Sequence, residues 1–171
     1  VHKGTFGKVF IVAGSRNYIG ATALSGESAY RSGAGLVTIA TTTPIIQIIA
    51  SQLREPTFIH LPDKEGAIAE TATNTVIESS NGYTSLLIGC GLGQHDTTKA
   101  FVKNLLTHHN LPSLIIDADA LNILSQMDNW WGLLPQNTII TPHVGEMARL
   151  TNLSTSDINA NRWQIASQKA K

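Results

Sequence analysis

Glycine and aspartate residues follow three apolar runs of strand length in this sequence, and these are the positions best suited to chemistry. They lie at residues 14–21, 89–93 and 117–119. Glycine permits positive φ and close backbone approach, so amide groups such as those of Gly20 and Gly93 can point at phosphate or ribose oxygens. Each segment alone is more often an ordinary turn. Three segments at the carboxyl edge of one parallel sheet predict a ligand cleft.

Two common nucleotide-binding motifs are missing from these loops. No Lys-Ser or Lys-Thr pair follows the glycines of residues 14–21, so they do not form a P-loop, and GSRNYIGA does not match the dinucleotide fingerprint GxGxxG. The sequence therefore disfavours a P-loop kinase and a Rossmann dehydrogenase.

Asp117 and Asp119 stand two residues apart at the end of a predicted strand, so their side chains can point the same way. Such a pair can hold magnesium through water or accept hydrogen bonds from ribose hydroxyls. The alternative is that one of them caps the helix predicted to begin near Leu121. We expect Asp119 to be the cap and Asp117 to be the functional residue.

His143 lies just past a predicted strand, at the start of a helix, in the segment TPHVGE. There it can donate to a phosphate or stack on a base, although a solvated surface histidine is the alternative. Glu146 falls in the first helical turn, where a carboxylate stabilises the helix start. No His/Cys/Asp spacing predicts a zinc site, and Cys90 is expected to be a small filler of the interior.

The hydrophobic pattern alternates between strands and helices along the whole chain. We predict a polar turn at 62–68, between the third strand and a helix, and this list of elements: strands at 8–13, 36–41, 57–61, 84–89, 113–117 and 138–141; helices at 20–32, 44–53, 69–80, 97–109, from about 121, at 143–150 and at 157–171. The pattern predicts an α/β fold with a mostly parallel sheet covered by helices on both faces, a three-layer αβα arrangement in one domain spanning 1–171.

Composition narrows the class of partner. Hydrophobic residues make up 42% of the 171 residues, and 12 basic residues balance 12 acidic ones. No positive field gathers nucleic acid, and no apolar run is long enough to span a membrane. The single cysteine precludes an internal disulfide and suits a reducing cytoplasm.

Five segments occur in an order that resembles one enzyme family, and the similarity runs from His2 to about Leu150. The family is the NAD(P)H-hydrate dehydratases, ribokinase-like repair enzymes that are mostly ADP-dependent in bacteria and ATP-dependent in eukaryotes. The segments are HKGTFGKVFIVAGSRNYIGA, RSGAGLVTIAT, IGCGLG, IIDADALN and IITPHVGEMARL.

The resemblance implies a substrate, a cofactor and a set of contacts. The substrate is NADH or NADPH hydrated on its nicotinamide ring, and ADP or ATP phosphorylates the ring hydroxyl with Mg²⁺ assisting. Family substrate contacts fall on Ala21, Gly91 and His143, while Asp117 and Asn122 line the same cleft. The resemblance also implies a homo-oligomer, often a tetramer.

The sequence departs from the family pattern in three places. Cys90 and Val144 stand where the family usually has proline, and no Gly-Thr-Gly-Asp motif, which carries the family's anion hole and catalytic Asp, occurs in the chain. We therefore expect the fold to be incomplete at its C-terminal side and the chain to be inactive alone. Two other functions stay open: a kinase of the same fold acting on a small alcohol, and a non-catalytic nucleotide-binding module.

Overall fold

The computed structural model describes residues 3–170, and of residues 3 and 4 only the backbone. His2 and Lys171, which begin the first family segment and end the last predicted helix, lie outside the described residues. Two 3-10 turns occur at Lys3–Phe6 and Trp130–Leu133. The strands are β1 Lys8–Val12, β2 Leu36–Thr42, β3 Thr57–Leu61, β4 Asp63–Lys64, β5 Ala67–Ile68, β6 Ser85–Ile88, β7 Ser113–Ile116 and β8 Ile139–Ile140. The helices are α1 Ile19–Arg31, α2 Thr43–Ile49, α3 Ala72–Ser80, α4 Asp96–Leu106, α5 Ala118–Leu124, α6 Val144–Thr151, α7 Thr155–Ala160 and α8 Arg162–Lys169.

Six strands form one sheet in the order β3-β2-β1-β6-β7-β8, and each neighbouring pair is parallel. The predicted parallel α/β sheet is confirmed. β1 lies near the centre, and its side chains Phe10, Ile11 and Val12 have no exposed surface. A strand that is apolar on both faces is expected when helices cover both sides.

The two faces of the sheet are covered unequally. Helices α3, α4 and α5 pack on one face, where residues such as Phe10, Leu86 and Leu114 are fully buried. On the other face α1 and α2 cover β1 and β2. Beyond them Leu87 and Ile115 line an open groove of about 840 Å³, and Ile139 is 58% exposed. The second helical layer therefore ends partway across the sheet.

Helix α1 approaches the sheet closely because its side chains are small. A Cβ added at Gly26 would lie 2.8 Å from Cδ1 of Ile39 on β2, closer than real Cβ contacts allow. The small residues of this segment thus bring the helix against the strand, as the sequence predicts.

The prediction of a polar turn at 62–68 is wrong. These residues contain the antiparallel hairpin β4–β5, and Ala67 and Ile68 are fully buried. Glu65 and Gly66 both have positive φ, the combination that a tight two-residue hairpin turn needs. Glu is uncommon at such a position, so the local sequence did not indicate a hairpin.

Several predicted helix ends are also corrected. The segment predicted as one final helix forms two helices, because the chain turns at Asn161 between α7 and α8. The helix after β7 begins at Ala118 instead of near Leu121, which makes Asp117 its N-terminal cap residue. The helix predicted at 44–53 ends at Ile49, where the chain continues through turns toward β3.

We predict that Gly89→Ala destabilises the fold by about 3 kcal/mol, because positive φ and a backbone collision act together. Gly89 has φ +132°, and an added Cβ would overlap the carbonyl oxygen of Asp117. Urea unfolding of both proteins measures the loss of stability as a lower midpoint with an unchanged slope.

Gly82→Ala is the matched control. Gly82 has φ +79° but no atom within 4 Å of an added Cβ, so only the backbone term of about 1 kcal/mol remains. Equal losses of stability for Gly89→Ala and Gly82→Ala would contradict a collision with the carbonyl oxygen of Asp117.

Candidate functional site

The loops after β1 and β6 are joined by hydrogen bonds at the carboxyl edge of the sheet. The amide of Gly14 donates to the carbonyl of Cys90 at 2.9 Å. The hydroxyl of Ser15 donates to the carbonyl of Gly91, also at 2.9 Å. These two bonds fix the spacing between the loops, so the first two predicted glycine segments meet.

Gly91 sits directly against the start of α1. A Cβ at Gly91 would lie 2.9 Å from the Cβ of Ala21 and 2.7 Å from that of Tyr18, and Gly91 has φ +68°. Both geometry and backbone conformation therefore favour glycine. Two of the predicted substrate contacts, Ala21 and Gly91, are in this way neighbours on one wall of the rim.

Asp117 connects the ends of β6, β7 and β8. Its Oδ1 accepts a hydrogen bond from the Thr141 hydroxyl at 2.8 Å, and its Oδ2 accepts one from the Cys90 thiol at 3.5 Å. Thr141 is two residues before His143. The carboxylate thus holds the third strand end beside the loop that leads to His143.

Asp119 is not the helix cap that the sequence predicted. Its Oδ2 accepts the amide hydrogen of Gly93 at 2.9 Å, across to the glycine loop after β6. The cap position belongs to Asp117, whose side chain makes no capping bond. Each carboxylate therefore accepts hydrogen bonds from another loop instead of from the start of α5.

His143 and Glu146 form a reciprocal capping box at the start of α6. The Gly145 amide donates to Nδ1 of His143 at 3.0 Å, and the His143 amide donates to Oε2 of Glu146 at 2.9 Å. Because Nδ1 is an acceptor, the neutral ring carries its proton on Nε2, which lies 3.2 Å from Oε1 of Glu146. The His143 side chain is 67% exposed and the Glu146 side chain only 5%. The expected helix-start role of Glu146 is confirmed, and the imidazole remains accessible.

Asn122 lies on the second turn of α5 and contacts a residue that the sequence reasoning overlooked. Arg149 on α6 donates from Nε to Oδ1 of Asn122 at 2.8 Å. Arg149 is four residues after Gly145 and therefore on the same face of the helix. The four-residue spacing between Gly145 and Arg149 was the sequence signal that could have placed Arg149 beside the start of α6.

The predicted residues form one continuous rim. Ala21 and Gly91 are in contact, Gly93 is bonded to Asp119, and Asp117 is bonded to Thr141 near His143. Gly20 precedes Ala21 and has open space around its α-carbon. The amide of Gly93 already has a carboxylate acceptor. Gly20 has open space beside it, and His143 lines a cavity of about 460 Å³ with residues of α6, α7 and α8.

The residues at this rim do not form a magnesium site by themselves. Both oxygens of Asp117 and one of Asp119 already accept hydrogen bonds. Across residues 3–170, no group of three His, Cys, Asp or Glu side chains is placed to hold a metal.

Burial raises the pKa of the Cys90 thiol, and the neighbouring Asp117 carboxylate raises it further, while a hydrogen bond with Ser25 acts in the opposite direction. The neutral thiol is therefore favoured over the thiolate, which is the reactive form. The environment agrees with the expectation that Cys90 fills interior space.

The sheet order and the rim at its carboxyl edge define a ribokinase-like α/β protein. A solved ribokinase-like superfamily protein from Enterococcus faecalis superposes with a TM-score of 0.77 and 28% identity over 97% of this chain and 56% of that one. A family model described as NAD(P)H-hydrate dehydratase matches residues 9–171. The chain belongs to the NAD(P)H-hydrate dehydratase family.

Individual relatives agree with this assignment. The chain is 35% identical to a bifunctional NAD(P)H-hydrate repair enzyme of Moorella thermoacetica, covering 99% of this chain and 32% of that protein. It is 32% identical to the ADP-dependent (S)-NAD(P)H-hydrate dehydratase of Streptococcus thermophilus, covering 96% of this chain and 56% of that protein. An ADP/ATP-dependent NAD(P)H-hydrate dehydratase from Bacillus subtilis, co-crystallised with ATP and Mg²⁺, superposes with a TM-score of 0.74 and 28% identity over 99% of this chain and 56% of that one.

The chain therefore spans about a third to a little over half of the length of these relatives. Among the helices that the structure describes, none has the length and apolar character needed to cross a membrane.

We predict that iodoacetamide alkylates Cys90 along a pH–rate curve whose midpoint lies above that of the unfolded chain. Since the folded pKa is raised, the stability that the protonated thiol contributes is complete below the unfolded pKa and is lost as the pH rises through the folded one. The rate of alkylation against pH, followed by mass spectrometry, measures the midpoint.

Two variants should move that midpoint in opposite directions. Asp117→Asn removes a charge that disfavours the thiolate and lowers the midpoint, whereas Ser25→Ala removes a bond that favours it and raises the midpoint. Shifts of the same sign would contradict the assigned causes.

Proposed function

We propose that the protein represented by this chain repairs nicotinamide dinucleotides, dehydrating the (S)-hydrates of NADH and NADPH at the expense of ADP or ATP. Family membership over residues 9–171 supports the reaction class. The observation that carries the proposal to a site is the contact between Ala21 and Gly91 at the carboxyl edge of the sheet. There the small side chains bring the start of α1 and the glycine loop after β6 close together.

The proposed reaction first phosphorylates the ring hydroxyl, because phosphate is a better leaving group than hydroxide. The hydroxyl oxygen on the hydrated ring takes the terminal phosphoryl group of the nucleotide, and its proton leaves. The carbon–oxygen bond then breaks as the ring nitrogen donates electrons, phosphate departs and a ring proton is lost. The sum is hydrate plus ADP giving NAD(P)H, AMP and phosphate, or ADP and phosphate when ATP is the donor.

In this proposal the chain supplies the substrate side of the site. Ala21 and Gly91 form the wall against the dinucleotide, and Asp117 and Asn122 line the cleft. The exposed imidazole of His143 stacks on a ring of the substrate, because its Nε2 is already directed at Glu146. Gly20 lies where backbone approaches phosphate, whereas the amide of Gly93 is already bonded to Asp119. Mg²⁺ would offset the charge of the transferring phosphoryl group, and the nucleotide phosphates would have to hold it, because no group of three His, Cys, Asp or Glu side chains among residues 3–170 is placed to do so.

The wider organisation follows from the same resemblance. We propose that residues 1–171 belong to a single ribokinase-like domain, that the protein acts as a homo-oligomer such as a tetramer, and that it works in the cytoplasm. The single cysteine, which cannot form an internal disulfide, suits a reducing compartment.

We predict that Ala21→Leu weakens binding of (S)-NADH hydrate by roughly tenfold or more, because added carbons occupy the space beside Gly91. Isothermal titration calorimetry of the purified chain measures the dissociation constant. Asn74→Leu places the same side chain on an exposed position of α3, away from the rim, and should leave binding unchanged.

The same titrations separate this function from a small-alcohol kinase of the same fold. Thiazole and pyrimidine alcohols should show no binding. Tight binding of such an alcohol with none of the hydrate would overturn the proposed substrate.

We predict that the 171-residue protein shows no dehydration of (S)-NADH hydrate with ADP or ATP and Mg²⁺, although it binds the hydrate. The physical reason is that the motif expected to stabilise the transferring phosphoryl group does not occur in it. Restoration of NADH absorbance at 340 nm follows the reaction. Measurable turnover would contradict the prediction.

A further inference from the structure

Arg149 is a cation that reaches the rim from the side of α6. Its Nε is bonded to Oδ1 of Asn122, which joins α6 to α5. A Cβ added at Gly145 would lie 2.9 Å from Cε1 of His143 and 3.7 Å from Nη1 of Arg149. The guanidinium and the imidazole thus flank the same glycine at the start of α6.

The guanidinium has donors to spare. Only its Nε is engaged among the side-chain hydrogen bonds described, and Arg149 does not take part in any ion pair between described residues. The side chain is exposed. A guanidinium presents a planar fork of N–H groups that matches two oxygens of a phosphate, and the bond to Asn122 holds this fork in one orientation.

The rim and the proposed ligand both carry negative charge, which a cation such as Arg149 can offset. Asp117, Asp119 and Glu146 all lie on the rim, and a dinucleotide brings further negative charge in its phosphates. Arg149 lies in the last turn of the eight-residue helix α6, and its Nη1 reaches back to Gly145 near the helix start, where the helix dipole is positive. Arg149 is a cation in contact with Asn122, a residue already predicted to line the cleft.

We propose that Arg149 is a further binding residue of this site, and that its Nη groups hold a phosphate of the dinucleotide substrate while Asn122 orients the guanidinium. The inference rests on the proposed function for the identity of the ligand. Arg149 binds and positions the substrate through its phosphate, and other residues contact the reacting nicotinamide ring.

We predict that Arg149→Gln weakens binding of (S)-NADH hydrate and (S)-NADPH hydrate by roughly ten- to hundredfold, the usual effect of losing a charge-assisted hydrogen bond. The slope of log Kd against log salt should fall as well, which a purely structural contact to Asn122 would not cause. Arg149→Lys keeps the charge without the fork and should give an intermediate loss. Calorimetry at several salt concentrations measures all of these.

Arg31→Gln is the matched control. Arg31 lies in the last turn of α1, paired with Glu27 at 2.6 Å, and should bind both hydrates as the parent does. An equal loss with both hydrates identifies the phosphates that they share, and a loss with NADPH hydrate alone identifies the 2′-phosphate. Hydrate affinities of Arg149→Gln within twofold of the parent, with an unchanged salt slope, would overturn the inference.

The Nε–Hε nuclear magnetic resonance signal of Arg149, titrated with sodium pyrophosphate, separates this inference from the proposed function. A shift with pyrophosphate but no binding of either hydrate would retain Arg149 as an anion site and overturn the proposed function. Binding of the hydrates without a pyrophosphate-induced shift of the Arg149 signal would retain the proposed function and overturn the inference about Arg149. If the Arg149 signal does not shift and neither hydrate binds, the inference about Arg149 and the proposed function are both overturned.

Discussion

The close approach of the loops after β1 and β6 is the constraint on which the rim depends. Gly14 bonds to Cys90, Ser15 bonds to Gly91, and Gly91 lies within contact of Ala21. Larger side chains at Ala21 or Gly91 would separate α1 from the glycine loop. The separation would widen the wall against which we place the dinucleotide. The small residues near the start of the chain are therefore a steric requirement of the site.

A second set of contacts extends this rim across the sheet through carboxylates. Asp117 joins Cys90 to Thr141, and Asp119 joins α5 to Gly93. These carboxylates are partly buried, so their bonds to neutral donors compensate for water that they lose. The arrangement uses both acids to hold loops, whereas the exposed Arg149 has only its Nε engaged among the described side-chain hydrogen bonds and can meet a ligand through its Nη groups.

The sequence predicts much of the fold because its signals are local. Apolar runs of strand length, separated by helical segments, are enough to indicate the parallel sheet, and residues 14–21, 89–93 and 117–119 do lie at one edge of it. The hairpin β4–β5 was missed because its turn needs an uncommon conformation at Glu65. The bonds of Asp119 to Gly93 and of Arg149 to Asn122 were missed for another reason. Their partners are 26 and 27 residues away in sequence, so only the folded chain brings them together.

The central position of β1 has a consequence for folding during synthesis. Ser15 and its partner Gly91 are 76 residues apart in sequence, and β6 must be made before β1 gains its second neighbour. At roughly 5–20 residues per second the ribosome takes several seconds or more to cover that distance. During that interval one edge of an apolar strand is unpaired, a state prone to association with other nascent chains. The wall of the site is thus completed only after β6 has been synthesised and has paired with β1.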